Sequence, residues 1–357
     1  MDALTTPLNW QRVRLGDILT LKHGRDYKNF KLGNIPVYGS GGYMLSINNF
    51  LHNGESVCIG RKGTIDKPIY LNGKFWVVDT LFYSYSFKKS IPKFIFYAFS
   101  IIKWSNYNEA TGVPSLTKMI ISNIQIPLPP LNEQIAIANI LSALDRYLYT
   151  LDALILKKES VKKALRIKML NQILASNGVE FKKIGEICLI KRGRVIAKKI
   201  LQENGKYPVY SSQTLNNGIL GFIDTYDFDG EFLTWTTDGA YAGSVFYRNG
   251  RFSITNVCGL LQVIQDNIIH KYLYYILQIT APLYVSSGMG NPKLMSAAMQ
   301  QIEVPLPPLH EQIAIANILS ALDNEITSLK NKKRQFDNIK KALNHDLMSA
   351  KIRVLKK

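Results

Sequence analysis

Two long series of apolar positions dominate the pattern of hydrophobic and polar residues along the chain. Their members step by four and three residues, which is the spacing of a coiled-coil seam. The first series is Ile137, Leu141, Leu144, Leu148, Leu151 and Ile155, and the second is Leu319, Leu322, Ile326 and Leu329. They predict one helix to about residue 174 and another to the end of the chain. Because helices of that length need equally long partners, we expect an antiparallel two-helix coiled-coil spacer.

A proline-rich stretch that occurs twice precedes these series. Residues 126–145 read IPLPPLNEQIAIANILSALD, and residues 304–323 read VPLPPLHEQIAIANILSALD. The prolines predict an extended segment that enters a helix, and Glu133 then falls in the first turn, where the helix dipole favours an acid. Weaker matches link residues 15–18 (LGDI) with 184–187 (IGEI), 35–38 (IPVY) with 207–210 (YPVY), and 111–116 (TGVPSL) with 289–294 (MGNPKL). We interpret the chain as a tandem duplication.

Short runs of Tyr, Phe, Val and Ile between glycine-rich turns fill the regions outside these helices. The predicted turns are at residues 39–43, 52–55, 72–75, 228–232 (FDGEF), 237–243 (TDGAYAG) and 247–252 (YRNGRF). Shorter helices are predicted near residues 92–104 and 270–279. The fold class is therefore α+β, with two pseudo-repeated α/β domains on mostly antiparallel sheet. The predicted boundaries are 1–125 and 176–303 for these domains, and 126–175 and 304–357 for the helical segments.

The charge balance narrows the choice of partner. Lys and Arg number 44 against 26 Asp and Glu, so the formal net charge is +18. This favours a polyanion over an acidic small molecule, although a merely basic protein remains the alternative. Three isolated cysteines argue against a disulfide framework or a zinc site and for a reducing cytoplasm. The first ten residues, MDALTTPLNW, lack the features of a signal peptide, and no apolar run suggests a membrane span.

The duplicated proline-EQ-helix stretch, following two variable domains of similar size, resembles the specificity subunit of type I restriction-modification systems. The resemblance covers essentially the whole chain. It implies two target recognition domains that each read one half of a split site in double-stranded DNA. It also implies helices that fix the distance between the halves and dock two methyltransferase subunits, with restriction subunits as further partners. The chain itself would then be non-catalytic, with S-adenosylmethionine, ATP and Mg²⁺ bound by the partner subunits.

Basic residues beside glycine are the best candidates for contact with DNA. The pattern K-x-G-R occurs at residues 22–25 and again at 191–194, and glycine there would let the backbone approach a phosphate or groove. The alternative for any single residue is that it belongs to a solvated hairpin end. The DNA-binding candidates are Lys22, His23, Arg25, Lys28, Arg61, Lys62, Lys67, Lys191, Arg192, Arg194, Lys198, Lys199, Thr236 and Thr237. The two threonines are expected on a loop, whereas the neighbouring Trp235 is expected in the core.

The near-identity of the two EQ helices indicates a shared function, which we predict to be docking of a partner. The docking candidates are Glu133, Gln134, Ile135, Glu311, Gln312 and Ile313. Apolar residues off the seam, such as Ile140 and Leu154, leave further surface for a partner. Lysines farther along the helices, such as Lys158 and Lys162, are interpreted as a solvated face rather than as contacts with spacer DNA.

The sequence lacks the familiar signatures of catalysis. It has no [DN]PP[YF] motif, no GxxxxGK[ST] phosphate loop and no HExxH spacing. A self-sufficient DNA-modifying enzyme with an unrecognised site remains the alternative function, and a DNA-binding subunit without nuclease partners is a softer one. If the resemblance holds, the length of the first helix is expected to set the gap in the DNA target.

Overall fold

The structure of the chain, a computed structural model, describes residues 9–176, 178–286 and 290–354. The first eight residues, residue 177 of the SNG stretch, Met289 of the MGNPKL repeat and the last three residues lie outside this description. Two compact units make up the chain: unit 1 comprises residues 1–152 with 331–357, and unit 2 comprises residues 153–330. Each unit combines one sheet-rich region with part of both long helices. The units therefore cut across the helical segments that the sequence analysis set apart.

Unit 1 is built on short strands with three short helices beside them. The strands are β1 (Gln11–Arg14), β2 (Thr20–His23), β3 (Leu32–Gly39), β4 (Gly42–Ile47), β5 (His52–Asn53), β6 (Ser56–Gly60), β7 (Ile69–Leu71), β8 (Lys74–Val77), β9 (Leu81–Tyr85) and β10 (Gln125–Leu128). The helices are α1 (Leu15–Ile18), α2 (Pro92–Ile101) and α3 (Lys118–Asn123). The strands form sheets in the orders β2-β9-β6-β7 and β4-β3-β8-β5, with β1 paired to β10.

The core of unit 1 lies where helix α2 packs on strand β6. Every residue of β6 is buried, as expected of a strand covered on both faces. Phe94 and Phe99 of α2 are fully buried in the same cluster as Ile137 and Leu141 from the long helix. The α+β prediction and the predicted helix near residues 92–104 are both confirmed for this unit.

Two long helices and a second set of strands make up the rest of the fold. The long helices are α4 (Leu131–Ala175) and α8 (Leu309–Met348). Between them are β11 (Glu180–Lys183), β12 (Cys188–Arg192), β13 (Tyr207–Tyr210), β14 (Ile219–Ile223), β15 (Phe228–Thr236), β16 (Val245–Ile254), β17 (Cys258–Val263) and β18 (Glu303–Leu306), with helices α5 (Ile184–Ile187), α6 (His270–Thr280) and α7 (Ser296–Gln300). Unit 2 has one six-stranded sheet, β12-β17-β15-β16-β13-β14, and the pair β11-β18. Pairing is antiparallel except for β13 with β16 here and β3 with β8 in unit 1.

Two turns predicted in unit 2 are wrong. The FDGEF stretch lies inside β15, and the YRNGRF stretch lies inside β16. Gly230 pairs directly with Gly250, and both have positive φ (129° and 98°), so the two glycines relieve strain within a continuous strand pair. By contrast, the turn predicted at residues 39–43 is confirmed, because β3 and β4 pair up to Gly39 and Gly42. Each proline-rich stretch begins as a strand, since β10 pairs with β1 and β18 pairs with β11.

The long helices pair in an antiparallel direction within each unit. In unit 1, Asp145 pairs with Lys340, and the tilted rings of Tyr147 and Phe336 have centroids 4.7 Å apart. In unit 2, Lys158 binds Glu325 at 2.9 Å and Lys162 binds Asp323. Residue numbers rise along one helix as they fall along the other, which confirms the predicted antiparallel pairing. The lysines at 158 and 162 are therefore ion-pair partners between the helices.

Most members of the apolar seam are buried as predicted, and Leu144, Leu322 and Leu329 are half-buried. The buried members are Ile137, Leu141, Leu148, Leu151, Ile155, Leu319 and Ile326. Helix α8 was predicted to reach the end of the chain but ends at Met348. Ala350 then adopts a positive φ of 56°, and the N–H of Lys351 donates to the carbonyl of Asp346 at 2.9 Å. After this turn, Ala350 and Val354 pack against the core of unit 1, to which these residues belong.

Candidate nucleic-acid interface

Loops from separate parts of unit 1 meet at the beginning of strand β9. The N–H of Gly24 donates to the carbonyl of Leu81 at 3.0 Å, and the N–H of Arg61 donates to that of Thr80 at 2.8 Å. The loop after β6 is also held by residues 111–116, because the N–H of Gly63 donates to Pro114 at 2.9 Å. These bonds bring Arg25 and Arg61, which are 36 positions apart in the printed sequence, to the two sides of one turn. We call residues 24–25, 61–63, 79–81 and 114 the loop face of unit 1.

Unit 2 repeats this arrangement with different side chains. The N–H of Gly193 donates to Cys258 at 3.2 Å, that of Thr237 to Val257 at 3.0 Å, and that of Gly239 to Pro292 at 3.0 Å. Arg194 thus takes the place of Arg25, Thr237 that of Arg61, and Pro292 that of Pro114. We call residues 193–194, 237–239, 256–258 and 292 the loop face of unit 2. The sequence match between K-x-G-R stretches therefore reflects a shared position in the fold.

The glycine in each K-x-G-R stretch serves the chain's own backbone. A Cβ atom on Gly24 would lie 2.0 Å from the carbonyl oxygen of Val78, and one on Gly193 would lie 2.2 Å from that of Thr255. No side chain fits at such distances. The sequence analysis attributed these glycines to close approach by DNA. The structure corrects that reason, because the close neighbour is a crossing segment of the same unit.

The predicted basic residues lie at the protein surface. The exposed ones are Lys22, His23, Arg25, Lys28, Lys62, Lys67, Lys191, Arg192, Arg194, Lys198 and Lys199, and Arg61 is half-buried. Some already have neighbours: Arg61 donates to the carbonyl of Asp79 at 3.1 Å, and Lys22 lies 4.6 Å from the ring centroid of Tyr85. Arg194 binds the carboxylate of Asp227 through Nε at 3.0 Å. These contacts orient the cations without burying them, so they remain accessible to a polyanion.

The predicted DNA contacts of Thr236 and Thr237 are wrong. Both side chains are 0% exposed; Thr236 ends strand β15, and Thr237 follows the strand directly. Trp235 is buried as predicted, and its Nε1–H donates to the carbonyl of Leu294 at 2.9 Å. Neighbouring segments hold both threonines: Thr236 lies opposite Cys258 of β17, and the N–H groups of Thr236 and Thr237 donate to the carbonyls of Ser244 and Val257 at 3.0 Å. A buried hydroxyl cannot reach a base edge.

Residues that the sequence analysis left without a role also enter the loop faces. Asp79, Thr80 and Asn256 lie in the turns that the arginines flank, and Lys293 is exposed beside Pro292. The available signal was the repeat between residues 111–116 and 289–294. That match was recognised as duplication but was not connected with the basic stretches, because the connection depends on tertiary contacts.

Arg248 is an unexpected buried cation near the loop face of unit 2. It is 3% exposed, its Cζ lies 3.5 Å from the ring centroid of Tyr210, and its Nε donates to Thr234 at 3.1 Å. Burial lowers the pKa of Arg248 to about 10. Its sequence context, YRNGRF, predicted an exposed turn. The structure instead places the guanidinium between strand residues and an aromatic ring.

The two EQ motifs hold the sheets to the long helices. Gln134 accepts the N–H of Ile91 at 2.9 Å and donates to the carbonyls of Lys89 and Pro129 at 3.0 and 2.8 Å. Gln312 makes the matching bonds to Ile269, Asn267 and Pro307 at 3.0, 3.1 and 2.9 Å. Both glutamines are at most 2% exposed. The prediction that they dock a partner is therefore corrected: their amides are satisfied within the fold.

The other docking candidates differ in exposure. Ile135 and Ile313 are 48% and 41% exposed, and the off-seam residues Ile140 and Ile318 are 37% and 46% exposed. Glu311 is exposed, whereas Glu133 is buried. Each EQ helix thus offers an apolar strip beside its structural glutamine, because Ile135 lies one turn after the exposed Leu131 and Ile313 lies one turn after the exposed Leu309. Such a strip suits a protein partner.

Tyrosines attach the same helices to the domains. Tyr97 donates to Asp145 at 2.5 Å, and Tyr275 donates to Asp323 at 2.7 Å. Burial raises the pKa of both phenols, so they stay protonated as donors. Each aspartate also binds a lysine of the opposite helix, Lys340 or Lys162. The same three-residue contact therefore occurs once in each unit.

The described part of the chain shows no assembled centre for metal or thiol chemistry. No group of three or more His, Cys, Asp or Glu side chains there could hold a metal ion. Burial raises the pKa of Cys58 and Cys188 to about 12 and that of Cys258 to about 11, so these thiols are poor nucleophiles. No helix between residues 9 and 354, gaps excepted, combines the length and apolar character needed to cross a membrane.

Comparison with known proteins identifies the class that this architecture represents. The family model described as type I restriction modification DNA specificity domain matches residues 7–159 and again residues 176–336. The chain belongs to this family and carries two copies of its domain. The earlier resemblance is thereby confirmed, as is the duplication.

Individual relatives agree with the family. Two Mycoplasma pneumoniae proteins named as type I specificity subunits are 52% identical over 138 residues and 40% identical over 223 residues. These matches cover 38% and 60% of this chain and 74% and 81% of the relatives. The crystal structure of a type I restriction-modification S subunit from M. genitalium has a TM-score of 0.75 at 18% identity, with 97% of each chain covered. That likeness supports the fold.

Proposed function

We propose that this chain is the DNA-specificity subunit of a type I restriction-modification complex and reads a two-part target in double-stranded DNA. The loop face of unit 1 would read one half-site, and the loop face of unit 2 would read the other. The chain selects the site, and partner subunits perform methylation and cleavage with S-adenosylmethionine, ATP and Mg²⁺. The family membership established above gives the general role, and the loop faces give the candidate contacts.

The observation that carries this proposal is the repeated loop face with divergent side chains. Arg25 and Arg194 occupy matching positions, which suits contacts to phosphates or to guanine in both halves. At the next position Arg61 corresponds to Thr237, and Lys62 corresponds to Asp238. Because one position is cationic in unit 1 and acidic in unit 2, the two faces cannot present the same pattern to DNA.

The partner proposal rests on the EQ helices. Their exposed apolar strips at Leu131 with Ile135 and at Leu309 with Ile313 repeat at equivalent positions. We expect each strip to contact a methyltransferase subunit, with restriction subunits binding the resulting complex. Stoichiometry is tested by measuring the mass of the reconstituted complex at saturation. A single methyltransferase per chain would contradict the two-strip arrangement.

The DNA proposal is tested by mapping methylation in cells that express the complete system with Arg25→Ala or Arg194→Ala. Each substitution should relax or weaken recognition of one half-site and leave the other half-site unchanged. The two variants serve as controls for each other. Loss of both half-sites in one variant, with the protein still folded, would contradict the assignment of one loop face to each half.

A further inference from the structure

The carboxylate of the first EQ motif is enclosed by side chains of unit 1. Glu133 is 2% exposed and accepts the Nε1–H of Trp10 at 3.1 Å. Arg353 binds it through two bonds, from Nε at 2.7 Å and from Nη2 at 3.0 Å. Val354 packs against the same core, and Ile352 lies on the other side of the arginine. We call the surroundings of this carboxylate a cradle. The segment after helix α8 fills it, with an arginine that lies between two apolar residues.

The second EQ motif has the same backbone framework with an open cradle. Strand β11 pairs with β18 as β1 pairs with β10: Glu180 lies opposite Leu306, and Gln11 lies opposite Leu128. This register puts Val179 where unit 1 has Trp10. A cavity of about 420 Å³ lies there, lined by residues that include Val179, Glu180, Pro307, Pro308 and Glu311. Glu311 is exposed, and no cation of the described part of unit 2 forms an ion pair with it.

The difference between the cradles indicates what the open one would bind. A planar guanidinium pairs with a carboxylate through two parallel bonds, as Arg353 does with Glu133, whereas a lysine offers a single point charge. The second cavity has the matching carboxylate at Glu311 and an apolar wall of proline and valine. The carboxylate of Glu180 also lines the cavity but already pairs with Lys182 at 2.7 Å, so Glu311 is the acid left for a partner.

We infer that the cavity at Glu311 binds an arginine side chain, flanked by apolar residues, from a partner polypeptide in the complex. The arginine would take the place that Arg353 occupies in unit 1. The inference depends on the proposed function only for the identity of the partner. The two EQ surfaces would then differ, because the chain's own segment after α8 closes the first and a segment of the partner polypeptide would close the second.

Titration of a fluorescent peptide with the full chain tests this inference. The peptide SAKIRVLKK, which copies residues 349–357, should bind with a saturable rise in anisotropy. Glu311→Gln should weaken binding at least about tenfold, and so should a peptide with lysine in place of arginine, because each removes the paired geometry. Glu303→Gln, at an exposed acid of strand β18 outside the cavity, is the matched control and should leave peptide binding unchanged. Val179→Trp should tighten binding, because it restores the ring that unit 1 places beside its arginine.

The contrary results are distinct. Peptide binding that survives Glu311→Gln but is lost in Glu133→Gln would show exchange with the chain's own segment and would overturn the inference. Sedimentation that shows a dimer dissolved by Glu311→Gln would assign the cavity to a second copy of the chain, which also overturns it. DNA affinity is measured on the same variants. A chain that binds the peptide but not DNA would contradict the proposed function and leave the arginine site standing.

Discussion

The two units share the contacts that join sheets to long helices and differ in the loops that face outward. Tyr97 with Asp145 and Tyr275 with Asp323 repeat one contact, and the glutamines of the EQ motifs repeat another. At the loop faces, Arg61 corresponds to the buried Thr237. The contacts between the sheets and the long helices, which we call the joints, therefore tolerate little change. The loops, by contrast, carry different side chains on the same backbone.

This comparison separates two reasons why a sequence segment repeats. The PLPPLxEQ stretch is nearly identical in both copies because its residues are committed to internal hydrogen bonds and to the helix seam. The K-x-G-R stretch repeats for a different reason: its glycine lies so close to a backbone carbonyl oxygen that a Cβ atom would not fit. The side chains on either side of that glycine are less constrained, and they are where the two units can acquire separate specificities.

The largest expected effect comes from changing the length of one helix alone. Asp145 lies opposite Lys340 in unit 1, and Lys162 lies opposite Asp323 in unit 2, so both units rely on one register along α4 and α8. Four residues inserted after Leu156 add about 6 Å to α4. They move one set of partners by a whole turn and should cost several kcal/mol, which lowers the melting temperature by roughly 10 °C or more.

A matched insertion separates length from register. Four residues inserted also after Leu329 of α8 restore the pairing, so this double variant should melt near the parent chain. If helix length sets the gap in the DNA target, methylation mapping of the double variant should show unchanged half-sites and a gap wider by about one or two base pairs, at about 3.4 Å each. An unchanged gap in a folded double variant would show that the helices do not set it.

The next largest effect concerns the glycines of the K-x-G-R stretches. Gly24→Ala and Gly193→Ala each push a Cβ atom to within 2.0 or 2.2 Å of a backbone oxygen. Each should destabilise its unit by about 3 kcal/mol, because the obstructing atom cannot rotate away. Gly41→Ala is the control, since its Cβ meets nothing within 4 Å. Denaturant unfolding should give similar losses for the first two variants and less than about 0.5 kcal/mol for the control.

The glutamines of the EQ motifs come third. Gln134→Ala and Gln312→Ala each remove three hydrogen bonds and leave buried backbone groups without partners, which should cost about 2 to 3 kcal/mol in either unit. Ile135→Ala, at an exposed position, should leave stability unchanged but weaken binding of the methyltransferase. Unfolding and pull-down measurements on the same variants distinguish structure from docking. Full stability in the glutamine variants would mean that these amides are not the joints described here.

Sequence patterns captured the parts of the fold that depend on local periodicity. The helix seam, the two shorter helices and the duplication all follow from spacing that survives without tertiary information. Burial at the ends of strands does not follow from spacing, because it depends on tertiary contacts. Thr236 and Thr237 looked like loop residues because TTDG resembles a turn, yet neighbouring strands cover both. Asn-Gly at 249–250 is a strong hairpin signal, but Gly250 pairs with Gly230 across a continuous sheet.

The candidate site shows the same division. The basic residues were recognisable by charge and by the K-x-G-R repeat, but the loops they meet come from distant segments. The bond between Arg353 and Glu133 joins residues 220 positions apart, and a basic chain end reads as solvated from sequence alone. Arg248 was hidden for a related reason, because its burial depends on Tyr210 in another strand.

The smallest and most specific test compares Arg61 with Thr237. Arg61→Ala should reduce affinity for duplex DNA and lower the slope of log affinity against log salt by about one, since one phosphate contact is lost. Thr237→Val should leave DNA binding unchanged. Its hydroxyl has no hydrogen-bond partner within the described residues, so replacing it with a methyl group should stabilise unit 2 by about 1 kcal/mol.

Anisotropy titrations over a salt series, together with denaturant unfolding, measure both quantities. Lys88→Ala removes an exposed cation that follows the other end of β9, away from the loop face, and gives the reference for loss of charge alone. If Thr237→Val weakened DNA binding as much as Arg61→Ala, the threonine would have to become exposed when DNA binds, and the two loop faces would then read DNA with matching positions. If only Arg61→Ala has an effect, unit 2 must use neighbouring residues such as Arg194 for its half-site, and the divergence between the faces is functional.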